Sequence, residues 1–148
     1  MNDDFDKDTN EIGTFEERNK YMDAYKPDDR KKILVVDDSP TFLRMIHKWL
    51  EVEYNVQVCP SATAAFHMID TQKPDLILLD YEMPICNGAQ FLQMLRSEPA
   101  TADIPVVFLT GNDDRDTVIS LISLKPQGYL LKTQTKAAIK DKIKEFLS

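Results

Sequence analysis

Polar side chains close four short apolar runs in this sequence. Asp37 and Asp38 follow Ile33–Val36, Asp80 follows Leu76–Leu79, Thr110 follows Pro105–Leu109, and Lys132 follows Gly128–Leu131. The fifth run, Tyr54–Cys59, ends in Cys59-Pro60 and supplies nothing comparable. Three carboxylates gathered at one place repel one another and hold protons more tightly unless a cation intervenes. Oxygen ligands with retained waters suit a hard divalent ion such as Mg²⁺. A lysine charge and a threonine hydroxyl beside that ion would match the peripheral oxygens of a phosphoryl group. No cysteine, histidine or serine is better placed, so the group to carry the phosphoryl is a carboxylate, and an aspartyl phosphate is a known covalent intermediate. Any one of these residues could be an ordinary helix cap or loop entry. The five together point to a site.

For the five to meet, the runs must be strands of one sheet with their carboxyl ends on one edge. The text between them reads as helices. Ser39-Pro40 gives an N-cap and a first-turn proline, and Phe42, Ile46, Trp49 and Leu50 then form one apolar face. Ser61 caps a helix over Ala62–Gln72, and a loop through Met83-Pro84 and Asn87-Gly88 leads to one containing Phe91, Leu92 and Leu95. Val118, Ile119, Leu121, Ile122 and Leu124 mark a helix broken by Pro126, and Ile139, Ile143, Phe146 and Leu147 line the last. Continuous apolar strands alternating with amphipathic helices predict an α/β fold: a doubly wound, five-stranded parallel sheet with five helices. Ligands bind such sheets outside the carboxyl ends of the strands, where strand order reverses.

Composition narrows the function. The 148 residues carry a net charge of −7, placed unevenly: residues 1–29 hold ten acids and four bases, residues 30–148 fifteen acids and fourteen bases. An acidic tail on a nearly neutral body offers no footprint for DNA or RNA, so a nucleic-acid partner is not expected. No apolar run is long enough to enter and cross a membrane. The acidic start, Met-Asn-Asp-Asp-Phe-Asp, reads against a secretory signal and toward a cytoplasmic protein. Cys59 and Cys86 have no metal-binding spacing and read as reduced structural thiols, and His47 and His67 as helix-surface residues. Residues 1–30 read as an acidic N-terminal extension, either flexible or a short helix that Thr14-x-x-Glu17 could cap, with the folded domain over 31–148.

From about Lys31 onward the chain resembles a response-regulator receiver domain, the chemotaxis-type phosphoacceptor of two-component signalling. The resemblance rests on Ile-Leu-Val-Val-Asp37-Asp38-Ser-Pro, Asp80-Tyr-Glu-Met-Pro84-Ile-Cys-Asn-Gly88, Phe-Leu-Thr110-Gly and Tyr129-Leu-Leu-Lys132. The intervals from Asp80 of 30 residues to Thr110 and 52 to Lys132 also suit the family. The resemblance implies a flavodoxin-like fold with Asp80 as phosphoacceptor. It implies Mg²⁺ (or Mn²⁺) held directly by Asp38, largely through water by Asp37, and by Asp80 and the Glu82 backbone carbonyl. Thr110 would move toward the phosphate, Lys132 would be the ion-pair partner, and Tyr129 would be the aromatic that turns inward when Thr110 shifts. Glu82 and Asn112 would tune self-dephosphorylation. The donor would be a histidine kinase or phosphotransfer protein, and the output a contact with a downstream protein. No residues remain after the last helix for an output domain, so a stand-alone signalling protein is expected rather than an enzyme.

The sequence departs from the family where Thr133, not proline, follows Lys132, and where Lys125-Pro126 replaces the usual Gly-Ala. A non-proline cis bond costs ~3 kcal/mol, so the bond after Lys132 is either trans or held by its surroundings. The alternative is a metal-dependent phosphatase with an aspartyl nucleophile. Such enzymes usually carry a second Asp two residues on, where this chain has Glu82. A receiver fold kept only for binding would not need the acidic pair, Asp80 and Lys132.

Overall fold

A computed structural model describes residues 28–148. The proposed Thr14–Glu17 cap and the helix after it lie outside them. Within them the chain alternates β1 (Lys32–Val36), α1 (Pro40–Leu50), β2 (Asn55–Cys59), α2 (Ala62–Thr71) and β3 (Leu76–Asp80). It continues through α3 (Gly88–Ser97), β4 (Val106–Thr110), α4 (Arg115–Ile122), β5 (Gly128–Leu131) and α5 (Lys136–Leu147). The helix starts follow from local chemistry. The side chains of Ser39, Ser61, Asn87, Asp114 and Thr135 each accept a hydrogen bond from a backbone N–H in the first turn of their helix. No helix among the described residues is long and apolar enough to cross a membrane.

All strand pairings are parallel, in the order β2-β1-β3-β4-β5, so the order reverses between β1 and β3. Central strands β3 and β4 are buried along their whole length, as continuous apolar runs require. Strand β2 is an edge and only Cys59 in it is buried, which matches its alternating Asn55-Val56-Gln57-Val58 text. Leu34, Val36, Ile77, Leu79, Val106 and Phe108 face a core shared with α2, α3 and α4. Ile33, Val35, Leu76, Leu78, Val107 and Leu109 face a second core with α1 and α5.

Helix α1 starts beside Asp37 and Asp38 and runs away from them, with half-buried Trp49 in its last turn. Helix α4 is shorter than its apolar text suggests and buries only Leu121, leaving Ile119 and Ile122 54% and 52% exposed. An eight-residue helix turns one narrow stripe inward, and five apolar positions within seven residues exceed it. Lys125, after α4, takes a left-handed turn (φ 59°) into Pro126, and no peptide bond among the described residues is cis, so Lys132–Thr133 is trans.

Candidate functional site

The register of the sheet brings the strand ends together. Asp80 is the last residue of β3 and Thr110 the last of β4; Asp37 follows β1 and Lys132 follows β5. Carboxylate oxygens of Asp37, Asp38 and Asp80 lie within 4.8 Å of one another. Asp37 is fully buried and Asp80 nearly so, whereas Asp38 faces solvent. Asp37 Oδ1 accepts from the Ser39 N–H at 2.9 Å, and Asp80 Oδ1 from the Glu82 N–H at 3.3 Å. Backbone donors from the turns after β1 and β3 thus aim both carboxylates.

Lys132 Nζ lies 2.6 Å from Asp37 Oδ2 and 3.9 Å from Asp80 Oδ2. The resemblance makes this lysine the partner of the acceptor and its phosphate; in this structure its closer ion pair is with Asp37, the carboxylate with no solvent of its own. The contact is short but off the direction of a hydrogen bond. Asp37 Oδ2 is therefore a buried side-chain oxygen without a hydrogen-bond partner. Such an atom is costly unless a charge answers it. The Lys132 ammonium also stands 4.8 Å from the centroid of the Phe42 ring, in the first turn of α1, a cation–π contact that fixes its approach.

Burial, and after it the negative charge of Asp37, push the Asp80 carboxyl up to about 7; Lys132 and the Glu82 N–H pull the other way. A carboxylate so disfavoured, beside a buried oxygen without a donor and a third, exposed carboxylate, fits a hard divalent cation with oxygen ligands. No nitrogen or sulfur ligand competes in this cluster.

Thr110 is buried, and its hydroxyl donates to the Asn112 carbonyl at 2.8 Å while accepting from the Asn112 N–H at 3.1 Å. Glu82 and Asn112, two residues beyond Asp80 and Thr110, are both exposed. Half-buried Tyr129 pairs with Phe108 across β4 and β5 and packs against the α2–α3–α4 core. His47 is half-buried and pairs with Glu51, and His67 is exposed on α2, both away from the strand ends. Cys59 is buried, with its thiol pushed up to about 11 by burial, and both cysteines are free.

The sequence reading missed three participants. Phe42 reads there only as core, because its spacing from Ile46 explains it without the lysine. Gly88 reads only as part of a motif, yet it sits against the Asp80 carbonyl. Asp114 gives no signal beyond its type. The loop after β3 also holds Ile85 at φ 69° with its side chain fully exposed. A β-branched residue in the left-handed region costs about 1–2 kcal/mol. Ile85→Gly is expected to raise stability by about 1 kcal/mol once the glycine's greater unfolded freedom is deducted. A denaturant midpoint equal to or below wild type would contradict this.

Residues 33–144 match the response regulator receiver domain family. The chain is 29% identical over 116 residues to the chemotaxis protein CheY of Pseudomonas aeruginosa, covering 77% of this chain and 94% of that one. It is 33% identical over 103 residues to the phosphate regulon transcriptional regulatory protein PhoB of Pseudomonas aeruginosa, covering 69% of this chain and 45% of that one. Among solved structures, the BeF3-activated receiver domain of Klebsiella pneumoniae RstA superposes with a TM-score of 0.72 at 30% identity, over 79% of this chain and 98% of that one. Across PhoB and four other curated relatives the chain spans only 12% to 56% of their length.

Proposed function

The chain belongs to the response-regulator receiver family of two-component signalling, and from that premise we propose that it accepts a phosphoryl group on Asp80. Receiver domains are signalling proteins that interact with histidine kinases or phosphotransfer proteins. In our reading such a protein is the donor. An Asp80 carboxylate oxygen bonds to phosphorus as the donor's P–N bond breaks, and the imidazole leaves with the electron pair. The observation that carries this is the convergence of Asp37, Asp38 and Asp80 on one point faced by Lys132.

Asp37, Asp38, Asp80 and the Glu82 backbone carbonyl would hold Mg²⁺ or Mn²⁺, which supplies charge neutralisation on the transferring oxygens. The remaining steps belong to the chain. Lys132 leaves Asp37 to pair with the new oxygens, and the Thr110 hydroxyl donates to one of them. Tyr129 then fills the space Thr110 gives up, changing the α4–β5–α5 surface that a downstream protein reads. Glu82, at the mouth, meets the water that ends the signal. We take residues 31–148 as the receiver unit and residues 1–30 as an extension to it.

Incubation with acetyl phosphate and Mg²⁺ should add one base-labile phosphoryl group to wild type and none to Asp80→Asn, read by intact mass. Equal labelling of the two proteins would sink the assignment. Turnover of p-nitrophenyl phosphate without a stable label would favour a phosphatase instead.

Metal affinity gives a second expected result. Lys132 already answers Asp37, whereas Asp38 is exposed and has no such partner at the cluster. Asp38→Ala should therefore weaken Mg²⁺ binding more than Asp37→Ala does, by a factor on the order of ten for a lost direct ligand. Calorimetric titration checks this, and an unchanged affinity in Asp38→Ala removes the ligand assignment.

A further inference from the structure

The hydroxyl of Thr110 is the first link of a hydrogen-bond chain that ends in helix α4. It donates to the Asn112 carbonyl and accepts from the Asn112 N–H. The Asn112 side chain then grips Asp114 twice: Nδ2 donates to Asp114 Oδ2 at 2.7 Å, and Oδ1 accepts from the Asp114 N–H at 2.9 Å. Asp114 in turn is the N-cap of α4, its Oδ1 accepting from the Thr117 N–H at 2.8 Å. Those hydrogen bonds, the Thr117 one first, hold the Asp114 carboxyl below the usual range. Since α4 buries only Leu121, this chain is a substantial part of what seats its first turn.

A hydroxyl has one proton to donate. Thr110 gives it to the Asn112 carbonyl, and cannot also give it to an oxygen of a phosphoryl group on Asp80. We infer that Asn112 is the positioning residue of this switch: by clamping Asp114, its side chain holds its own carbonyl where Thr110 donates to it, and so sets how readily Thr110 turns to the phosphoryl group. The inference rests on the proposed role of Asp80. It also gives Asn112 a different task from tuning hydrolysis, because both heteroatoms of its amide are already committed to Asp114.

The clamp opposes activation, so loosening it must favour the phosphoryl-engaged state. This sign separates a positioning role from a merely structural one, in which damage to the loop would weaken ligand binding. The probe is beryllofluoride with saturating Mg²⁺, with affinity measured by calorimetry. Asn112→Ala removes two exposed hydrogen bonds and should bind the probe about fivefold tighter than wild type. Asn112→Ser, which keeps an acceptor for the Asp114 N–H, should fall between the two. In a Thr110→Val background, where no hydroxyl can be released, Asn112→Ala should change affinity by less than about twofold. Unchanged or weaker binding in Asn112→Ala overturns the inference, as does equal tightening in the Thr110→Val background. Failure of wild type to bind, or binding by Asp80→Asn as tight as wild type, overturns the reading of Asp80 and this inference with it.

Discussion

A methyl group placed on Gly88 should cost the fold about 2–3 kcal/mol, the upper part of the range for overpacking a well-filled site. Gly88 opens α3, and its N–H donates to the Tyr81 carbonyl at 3.2 Å, so the helix starts on top of the end of β3. A Cβ there would stand 2.6 Å from the Asp80 carbonyl oxygen, 3.0 Å from Phe108 Cε1 and 3.0 Å from Tyr81 Cα. The first neighbour is backbone of a central strand and cannot swing aside. The helix must lift instead, taking Phe91, Leu92 and Leu95 partly out of the core. Two other glycines serve as controls. At Gly128 the added carbon would meet the Phe146 ring edge at 2.7 Å, a side chain that can move, and at Gly111 it would meet nothing within 4 Å. Denaturant unfolding should therefore rank Gly88→Ala well below Gly128→Ala, with Gly111→Ala nearest wild type. A Gly88→Ala protein as stable as Gly111→Ala would refute the close packing of α3 on the acceptor. Because the carbonyl concerned belongs to Asp80 itself, the variant should also accept phosphate more slowly.

The second large effect is a gain. In metal-free solution Asp80→Asn should be more stable than wild type at pH 8, and the two should converge below about pH 4. In the folded protein the carboxyl titrates at about 7, against 3.8 for the ordinary group. Between those values the folded state holds a proton that the unfolded chain has released, so wild-type stability falls as pH rises and the loss is complete above 7. At 1.36 kcal/mol per pH unit the rise corresponds to about 4 kcal/mol. Solvent at the mouth of the site should bring the measurable difference to roughly 2 kcal/mol. Asparagine keeps the acceptor for the Glu82 N–H and carries no charge to desolvate. Mg²⁺ should then reverse the order, since a cation that binds only the folded wild type stabilises it by mass action. Equal stability of the two proteins at pH 8 without metal would mean that Asp80 is not under strain from its surroundings.

The fold was legible because each strand carries its own burial in its text. Leu76–Leu79 reads as buried on both sides and is; Asn55–Val58 alternates and lies on the edge. Strand ends followed, since a polar residue closing an apolar run in a parallel sheet has one edge to go to, and Asp37, Asp80, Thr110 and Lys132 all reach it. Residue type does not say which partner a side chain takes first. Lys132 could be placed at the site, but its closer contact with Asp37 depends on the burial of that carboxylate, which no spacing encodes. The resemblance has the Thr110 hydroxyl move toward the phosphate, but nothing in the spacing says where it starts from, which is a turn closed with Asn112, two residues along the same loop. Local hydrogen bonds of Thr and Asn compete with longer-range ones wherever loop geometry allows. Ile85 was illegible for a related reason: nothing about an isoleucine announces a left-handed backbone. Helix α4 was overread, because apolar letters at 119 and 122 count toward a helix without saying that either side chain is covered.

The single tryptophan has a practical consequence for measuring such effects. Helix α1 leaves the acidic cluster and carries Trp49 at its far end, about 15 Å away along an eleven-residue helix. There the indole is half-buried against the core that the sheet shares with α1 and α5, in surroundings that change when the sheet and α1 part. Its emission should shift strongly on unfolding and stay nearly silent when cation or phosphoryl group arrives. One sample thus holds an optical gauge of folding that is blind to signalling, so that the cost of a substitution to the scaffold and its cost to the switch can be read as separate quantities from the same cuvette.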